Sequence, residues 1–322
     1  MKSIALFTSG GDSPGMNACI RAVVRTALHH EVNVFGIRYG YQGMINDEMF
    51  RMDSKSVANI IHRGGTILKT ARSKEFMTPE GMKKAAANIA KHHIEGIVAI
   101  GGDGTFRGAL AFQEYCNVPV IGCPGTIDND LAGSDYTIGF DTAINTVVEA
   151  VDKIRDTAES HNRIFVVEVM GRDSGLIALH SGIGVGAEGI MIPETKNDLD
   201  AVMKLLARSR RDKKSKIIIV AEGEKEGGAV AVSEKVKAQF PEADVRVTIL
   251  GHVQRGGAPT CMERVNAARM GHEAVNALLQ GKREQMVGIV NGKIAFTPFS
   301  QAVKQHVEPD PALISMTKIL AS

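Results

Sequence analysis

Cysteine is scarce here and net charge nearly absent. Cys19, Cys116, Cys123 and Cys261 are the only cysteines in 322 residues; none forms a C-x-x-C pair, and no histidines cluster at zinc spacing. A reduced compartment is therefore expected rather than a disulfide framework. A formal charge of +2 excludes a broad nucleic-acid or membrane surface and leaves room for local basic pockets that take small anions. No apolar run approaches the roughly 18 residues of a membrane span. The opening MKSIALFTSGGDSPG reads as a strand entering a turn, not as a signal peptide. A cytoplasmic protein is expected. Also missing are a Walker A loop and a G-x-G-x-x-G dinucleotide fingerprint. There is no low-complexity segment and no linker rich in Pro, Gly or Ser.

What is present is alternation. Short β-branched runs recur at Ile4–Phe7, Asn33–Arg38, Gly96–Ile100, Val118–Ile121, Ile164–Val169, Gly189–Ile192, Lys216–Ala221 and Arg246–Leu250. Amphipathic stretches separate them, among them Met16–His30, Pro79–His92, Phe106–Tyr115, Phe140–Ala158, Asp198–Asp212, Ala231–Gln239 and Met262–Gln280. This is the pattern of a doubly wound α/β fold with parallel sheets. The length suits about two domains, with a break near Tyr136–Gly139 and Phe140–Ala158 leading into the second. Asn291-Gly292 between two apolar runs predicts a two-residue hairpin. A cleft between the domains is the expected place for a ligand.

Three predicted strands end in a Gly-Asp turn before a helix: Gly10-Gly11-Asp12, Gly101-Gly102-Asp103 and Gly171-Arg172-Asp173. Glycines let the backbone approach a phosphate, and helix N-termini offer free N–H groups. Each copy alone is equally a tight turn with an Asp cap. Asp103, in a glycine-rich loop followed by Thr105, suits Mg²⁺, which takes one or two carboxylates with phosphate oxygens and water. PGTIDND, residues 124–130, carries Asp128 and Asp130 behind the neighbouring strand. Alone it is also a solvated turn; beside the Asp103 loop it offers a general base for phosphoryl transfer.

In order along nearly the whole chain stand TSGGDSPGMNA, HRGGT, IGGDGT, PGTIDND, VEVMGRDSG and LGHVQRGGAP. Together they resemble the ATP-dependent 6-phosphofructokinase family of the bacterial type. GGDGT is shared with lipid and NAD kinases; PGTIDND, MGR and GHVQRGG carry the specificity. The resemblance implies two Rossmann-like domains with mostly parallel sheets, 1–138 with 252–304 binding ATP, and 139–251 with 305–322 binding fructose 6-phosphate. It implies that Gly11, Arg72, Ser73, Gly102, Gly104 and Thr105 hold ATP and that Asp103 holds Mg²⁺. Asp128 would take the proton of the sugar 1-hydroxyl, while Thr126, Asp130 and Arg172 position the reactants and stabilise charge. Ile127, Met170, Gly171, Glu222, His252, Val253, Gln254 and Arg255 would line the sugar phosphate. Arg163 and Arg246 match positions that reach a neighbouring subunit's substrate in a homotetramer, where forked guanidinium bonds suit a phosphate dianion.

Relatives that use pyrophosphate carry a bulkier charged pair where this chain has Gly104 and Gly125, so ATP is the expected donor. An inactive nucleotide-sensing homologue would lack the base or the metal ligand; Asp103, Asp128, Arg72 and Arg172 are all present. For an effector site binding ADP or phosphoenolpyruvate, the resemblance implies Arg21, Arg25, Arg155, Gly186, Glu188, Arg211, Lys213 and Lys214, with Ser54, Lys55 and Asn59 beside them. Ser54 stands where the family has an arginine, and Asn59 where it has an acid. Losing that fork costs about 1.5–3 kcal/mol, and Lys55 replaces it only as a point charge. Weakened regulation is expected. Ser73 stands where relatives often have an aromatic residue, which changes the adenine contacts.

Overall fold

A computed structural model describes every residue except 162, 197, 209–214, 304–308 and 321–322. Two compact units result, Met1–Thr142 with Arg255–Gln305, and Ala143–Gln254 with His306–Ser322.

The first unit begins β1 (Ser3–Thr8), α1 (Met16–His29), β2 (Asn33–Ile37), α2 (Gly40–Ile45) and β3 (Met49–Met52). It continues through α3 (Pro79–Lys91), β4 (Gly96–Gly101), α4 (Asp103–Phe112), β5 (Val120–Thr126) and β6 (Ile138–Gly139), and α5 (Phe140–His161) starts in it. The second unit holds β7 (Ile164–Val169), α6 (Leu176–Gly184), β8 (Gly189–Met191), α7 (Asp198–Arg208), β9 (Lys216–Ala221), α8 (Gly228–Gln239) and β10 (Val245–Ile249). The chain returns to the first unit as α9 (Cys261–Leu279), β11 (Gln285–Val290) and β12 (Lys293–Pro298), and α10 (Pro311–Leu320) belongs to the second.

In the first unit the strands run β12-β11-β5-β4-β1-β2-β3, with β6 on the end of β5. The pairs from β11 to β2 are parallel; β2–β3 and β11–β12 are antiparallel. Side-chain alternation divides the core. Ile4, Leu6, Val98, Ile100 and Ile121 meet α1 and α9 on one face, while Ala5, Phe7, Ile97 and Ala99 meet Phe106, Phe112 and Ile89 on the other. The second unit carries the parallel sheet β10-β7-β9-β8. Cys19 and Cys123 lie in the first core with their thiols in contact; that hydrogen bond, then burial, pushes the Cys19 thiol well above its usual range. The four cysteines are free. Among the described residues no helix is long and apolar enough to cross a membrane.

The Asn291-Gly292 hairpin forms as expected, with both residues at positive φ between Val290 and Lys293. Among the boundaries that shift, two bear on the site. The strand expected to stop at Ile121 continues to Thr126, with Pro124 inside it opposite Gly101. On its other side β11 pairs only to Gly122 and β6 takes over at Gly125, so the missing Pro124 N–H falls in the gap between two ladders. The helix expected from Phe106 starts at Asp103, whose carboxylate complements the first turn. Helix α6 is invisible to periodicity because Leu176, Ile177, Ala178 and Leu179 are all buried, leaving no polar face to mark it.

Candidate active site

Strands β1, β4 and β5 are neighbours in register, Thr8 opposite Ile100 and Gly101 opposite Pro124, so their carboxyl ends open on one edge of the sheet. The Gly10–Asp12 turn leaves β1 there. Gly10 has φ of 87°, and a side-chain carbon on Gly11 would stand 2.5 Å from Nη1 of Arg255, which donates to the Asp12 carbonyl at 3.3 Å. The HRGGT loop covers this turn. Thr8 Oγ1 donates to the Lys69 carbonyl (2.9 Å) and Thr70 Oγ1 to that of Gly10. Buried Asn17 fixes the loop from α1: its amide donates to the Arg63 and Gly64 carbonyls (3.0 and 3.1 Å), and its oxygen accepts from Ile67 N (2.8 Å). A polar hollow of about 430 Å³ opens among Asp12, Arg63, Lys69 and Thr70. Arg72 is exposed beyond it.

After β4, Gly102 caps α4 in extended conformation and Asp103 opens the helix. Arg107, one turn on, grips the Asp103 carboxylate with Nε (3.0 Å) and Nη2. That guanidinium is mostly exposed, so the pair is weak enough to yield to a cation. Around Asp103, a Cβ on Gly104 would touch nothing within 4 Å and one on Gly102 nothing nearer than 3.9 Å. A carboxylate at a helix N-terminus, flanked by two glycines beside which a side chain would meet little, fits a hydrated divalent ion that takes its remaining ligands from a polyphosphate. Thr105 is buried below, its carbonyl accepting from Tyr41 Oη at 2.6 Å. Tyr41 stacks on Phe76 at 3.9 Å, and its ring lies 2.9 Å from where a Gly108 side chain would begin. Ser73 donates to Gln42 Oε1 (2.7 Å) and accepts from Phe76 N (3.0 Å), within the 3₁₀ turn Glu75–Met77.

The PGTIDND segment is the buried end of β5 and the turn beyond it. Ile127 is fully buried, and Asp128, Asn129 and Asp130 are 4%, 8% and 8% exposed, so the solvated-turn alternative fails. Asp128 N donates to Thr126 Oγ1 (3.1 Å), and the Thr126 carbonyl accepts from Thr137 Oγ1 (2.6 Å). Asn129 closes the loop: at φ of 51° its amide donates to the Asp135 carbonyl (2.9 Å) and its oxygen accepts from Thr137 N (2.7 Å). Asn129→Ala and Asn129→Gly should each cost about 1–3 kcal/mol in denaturant titrations for the lost pair of bonds. Ala should be the worse by roughly 1 kcal/mol, because only Gly relaxes at positive φ. Equal midpoints for the two variants would show that φ is not a burden there.

In the second unit the ends of β10, β7 and β9 are likewise adjacent. Gly171 and Arg172 have φ of 135° and 54°. Arg172 N donates to Glu222 Oε1 (2.8 Å), and a Cβ at Gly223 would stand 1.8 Å from the Arg172 carbonyl, so this turn is clamped onto the end of β9. Met170 N donates to Gln254 Oε1 (3.2 Å); Gln254 is buried, whereas His252 and Val253 are exposed, Val253 at 61%. Arg255 belongs to the first unit, with Gly11. Arg163 and Arg246 are not brought to this end. Arg163 immediately precedes β7, roughly 20 Å from its far end at 3.3 Å per residue, and Arg246 is second in β10, roughly 10 Å from its far end. Both grip Asp244, at 2.7 Å and 2.9 Å, and Arg163's hydrogen bond is the main reason the Asp244 carboxyl lies below the usual range.

Of the expected effector residues, Arg21, Arg25, Ser54, Lys55 and Asn59 are on the first unit and Arg155, Gly186 and Glu188 on the second. Arg155 Nη2 donates to the Val185 carbonyl (2.5 Å), and buried Glu188 accepts from Ile217 N (2.6 Å). Arg211, Lys213 and Lys214 lie outside the described residues. Sequence reading missed Asn17, Tyr41 and Arg107. Only Arg107 left a local signal, its i,i+4 spacing from Asp103.

The profile of the phosphofructokinase family matches residues 3–278. The "ATP-dependent 6-phosphofructokinase 1" of Thermus thermophilus is 55% identical over all of both chains. The yeast Saccharomyces cerevisiae phosphofructokinase structure superposes with a TM-score of 0.89 at 38% identity, covering all of this chain and 48% of that one. A pyrophosphate-dependent phosphofructokinase from Marinobacter aquaeolei, 23% identical, shares the fold, with a TM-score of 0.84 over all of this chain and 92% of its own.

Proposed function

The chain belongs to the phosphofructokinase family and has ATP-dependent 6-phosphofructokinase activity, and we propose how its residues divide that reaction among them. The first unit holds the donor: Gly11, Arg72, Ser73 and Gly102 to Thr105 hold ATP, and Asp103 holds Mg²⁺, which neutralises phosphate charge when bound. Asp128 accepts the proton of the fructose 6-phosphate 1-hydroxyl as it attacks the γ-phosphorus. Thr126 and Asp130 orient that side, and Arg172 stabilises charge spreading over the transferred group. Met170, Gly171, Glu222, His252, Val253 and Gln254 are the second unit's contacts to the sugar phosphate, and Ile127 and Arg255 are the first unit's. The observation that carries this reading is the run of three adjacent strand ends, which sets Gly11, Asp103 and buried Asp128 along one sheet edge.

The position of Arg163 and Arg246 supports a homotetramer. A pair at the opposite strand ends from Met170 serves a substrate phosphate only if that substrate sits on a neighbouring copy. ADP and phosphoenolpyruvate are the proposed effectors, acting weakly because Ser54 gives no fork. One coupled assay with fructose 6-phosphate tests donor and regulation together. MgATP should support turnover and pyrophosphate should not, and either effector should change the rate several-fold less than a forked phosphate site allows. Turnover with pyrophosphate would overturn the donor assignment; a strong response to both effectors would overturn the Ser54 argument.

A further inference from the structure

Glu263 is a buried acid to which the reaction above gives no task. It is 2% exposed and sits in the first turn of α9, in a Thr-x-x-Glu capping pattern with Thr260. Half of that pattern is in place, since Thr260 Oγ1 accepts from Glu263 N at 3.1 Å. The other half is diverted: the carboxylate does not close back on its own helix but faces the start of α5. Oε2 stands 3.3 Å from both the N–H and the hydroxyl of Thr142, and the Gly139 N–H also donates to the carboxylate. Its other side presses on the turn after β1. A side-chain carbon on Gly15 would meet Glu263 Cγ at 2.9 Å and Oε1 at 3.2 Å.

Both of these contacts lead to reacting groups. Gly139 pairs with Thr126 at the end of β5, two residues before Asp128. Gly15 ends the turn that begins at Gly10 and Gly11, and Ser13 Oγ within that turn donates to the Ile138 carbonyl at 2.7 Å. One carboxylate therefore packs against the donor turn and hydrogen-bonds the segment paired with the strand end that carries the base. We propose that Glu263 is a positioning residue for phosphoryl transfer, and that its ionised form is the one that holds the two loops in register. The inference rests on the assignment of Gly11 and Asp128 to the reaction.

The ionised form suits the site because the groups that hydrogen-bond the carboxylate, the Gly139 N–H and the N–H and hydroxyl of Thr142, are donors. A protonated carboxyl or an amide offers those donors fewer acceptor sites than the ionised carboxylate. Burial pushes the Glu263 carboxyl up to about 7, opposed by the Gly139 and Thr142 N–H groups. The titratable neighbour facing it is Asp141 in the first turn of α5, which also raises it and which itself accepts from Thr260 Oγ1. Working activity should therefore rise with pH through about 7. Stability should move the other way. The unfolded carboxyl gives up its proton near its ordinary value while the folded one keeps it to about 7, so the folded state binds the extra proton across that window and loses stability as pH rises through it.

The full chain, with Glu263→Gln and Glu263→Asp, tests this by kcat and KM from about pH 5.5 to 9 and by melting temperature across the same range. Wild type should show a kcat limb centred near 7 that is absent in Glu263→Gln. The Gln variant should be lower by roughly ten-fold on the alkaline side, as expected for a small misplacement of reacting groups. Its KM for fructose 6-phosphate should be unchanged. Its melting temperature should lose the decline that wild type shows as pH rises from about 5.5 to about 7, and Glu263→Asp should keep both limbs with a shifted midpoint. A Gln variant with the wild-type kcat profile overturns the proposal, as does one whose kcat and KM worsen together at every pH. Asp128→Asn in the same assay separates the two readings: if it stays active, the base assignment fails whatever the Glu263 profile shows.

Discussion

Asp128→Asn is expected to lower kcat by roughly 10²- to 10⁴-fold, the usual contribution of a positioned general base. The substitution keeps shape and hydrogen-bonding length while removing the basic lone pair. KM for either substrate should move far less, because proton acceptance matters only as the hydroxyl attacks. The structure supports a clean result. Asp128 is held by its backbone, through its N–H to Thr126 Oγ1, and the turn beyond it is pinned by Asn129 on both sides, so the loop has supports that an amide at 128 leaves untouched. Asp130→Asn provides the contrast: an orienting carboxylate should cost less than the base. Steady-state kinetics with a melting curve for each variant decides it. Turnover of Asp128→Asn near that of wild type would remove Asp128 from the mechanism.

How far the sequence spoke for itself depended on the range of the interaction. Runs such as Ile4–Phe7 and Lys216–Ala221 announce buried parallel strands because apolar side chains on both faces leave no other economical state. Gly-Asp turns after them mark helix starts, and Asn291-Gly292 marks a hairpin, since these rules involve neighbours only. Helix α6 escaped because its surroundings are apolar on all sides. The continuation of β5 through Pro124 escaped because it needs β6, whose pairing partners stand some distance along the chain. The same division runs through the site. Asp103 and Asp128 stand in recognisable strand-end motifs, whereas Asn17 acts on residues near 65 and Glu263 on residues near 140. A single buried polar residue on a helix carries no mark of which distant backbone it will satisfy.

The two glycines read as making room for ATP should respond in opposite ways. At Gly125 a side-chain carbon would stand 2.8 Å from Met16 Cε and 3.3 Å from both the Gly101 backbone nitrogen and Ile100 Cγ2. The Met16 tip can swing aside; the backbone of β4 cannot. Gly125→Ala should therefore cost about 1–3 kcal/mol of stability and shift the end of β5, so kcat falls together with the melting temperature. Gly125→Lys should be worse, because the longer stem leaves through the same gap. At Gly104 nothing lies within 4 Å of the added carbon, and the position is in the first turn of α4. Gly104→Ala should be neutral or stabilising by up to ~1 kcal/mol, as Ala is the better helix former. Gly104→Asp should fold equally well yet raise KM for MgATP by roughly ten-fold or more, since a second carboxylate beside Asp103 repels a polyphosphate. On this reading donor choice should have two separate physical bases, charge and open space at Gly104 and strand packing at Gly125. It follows that Gly104→Asp with Gly125→Lys should lose ATP turnover without gaining pyrophosphate turnover, because the displaced strand end carries Asp128 with it. An unchanged KM for MgATP in Gly104→Asp would show that the nucleotide does not pass that helix start, and a pyrophosphate-active double variant would show that β5 tolerates the intrusion.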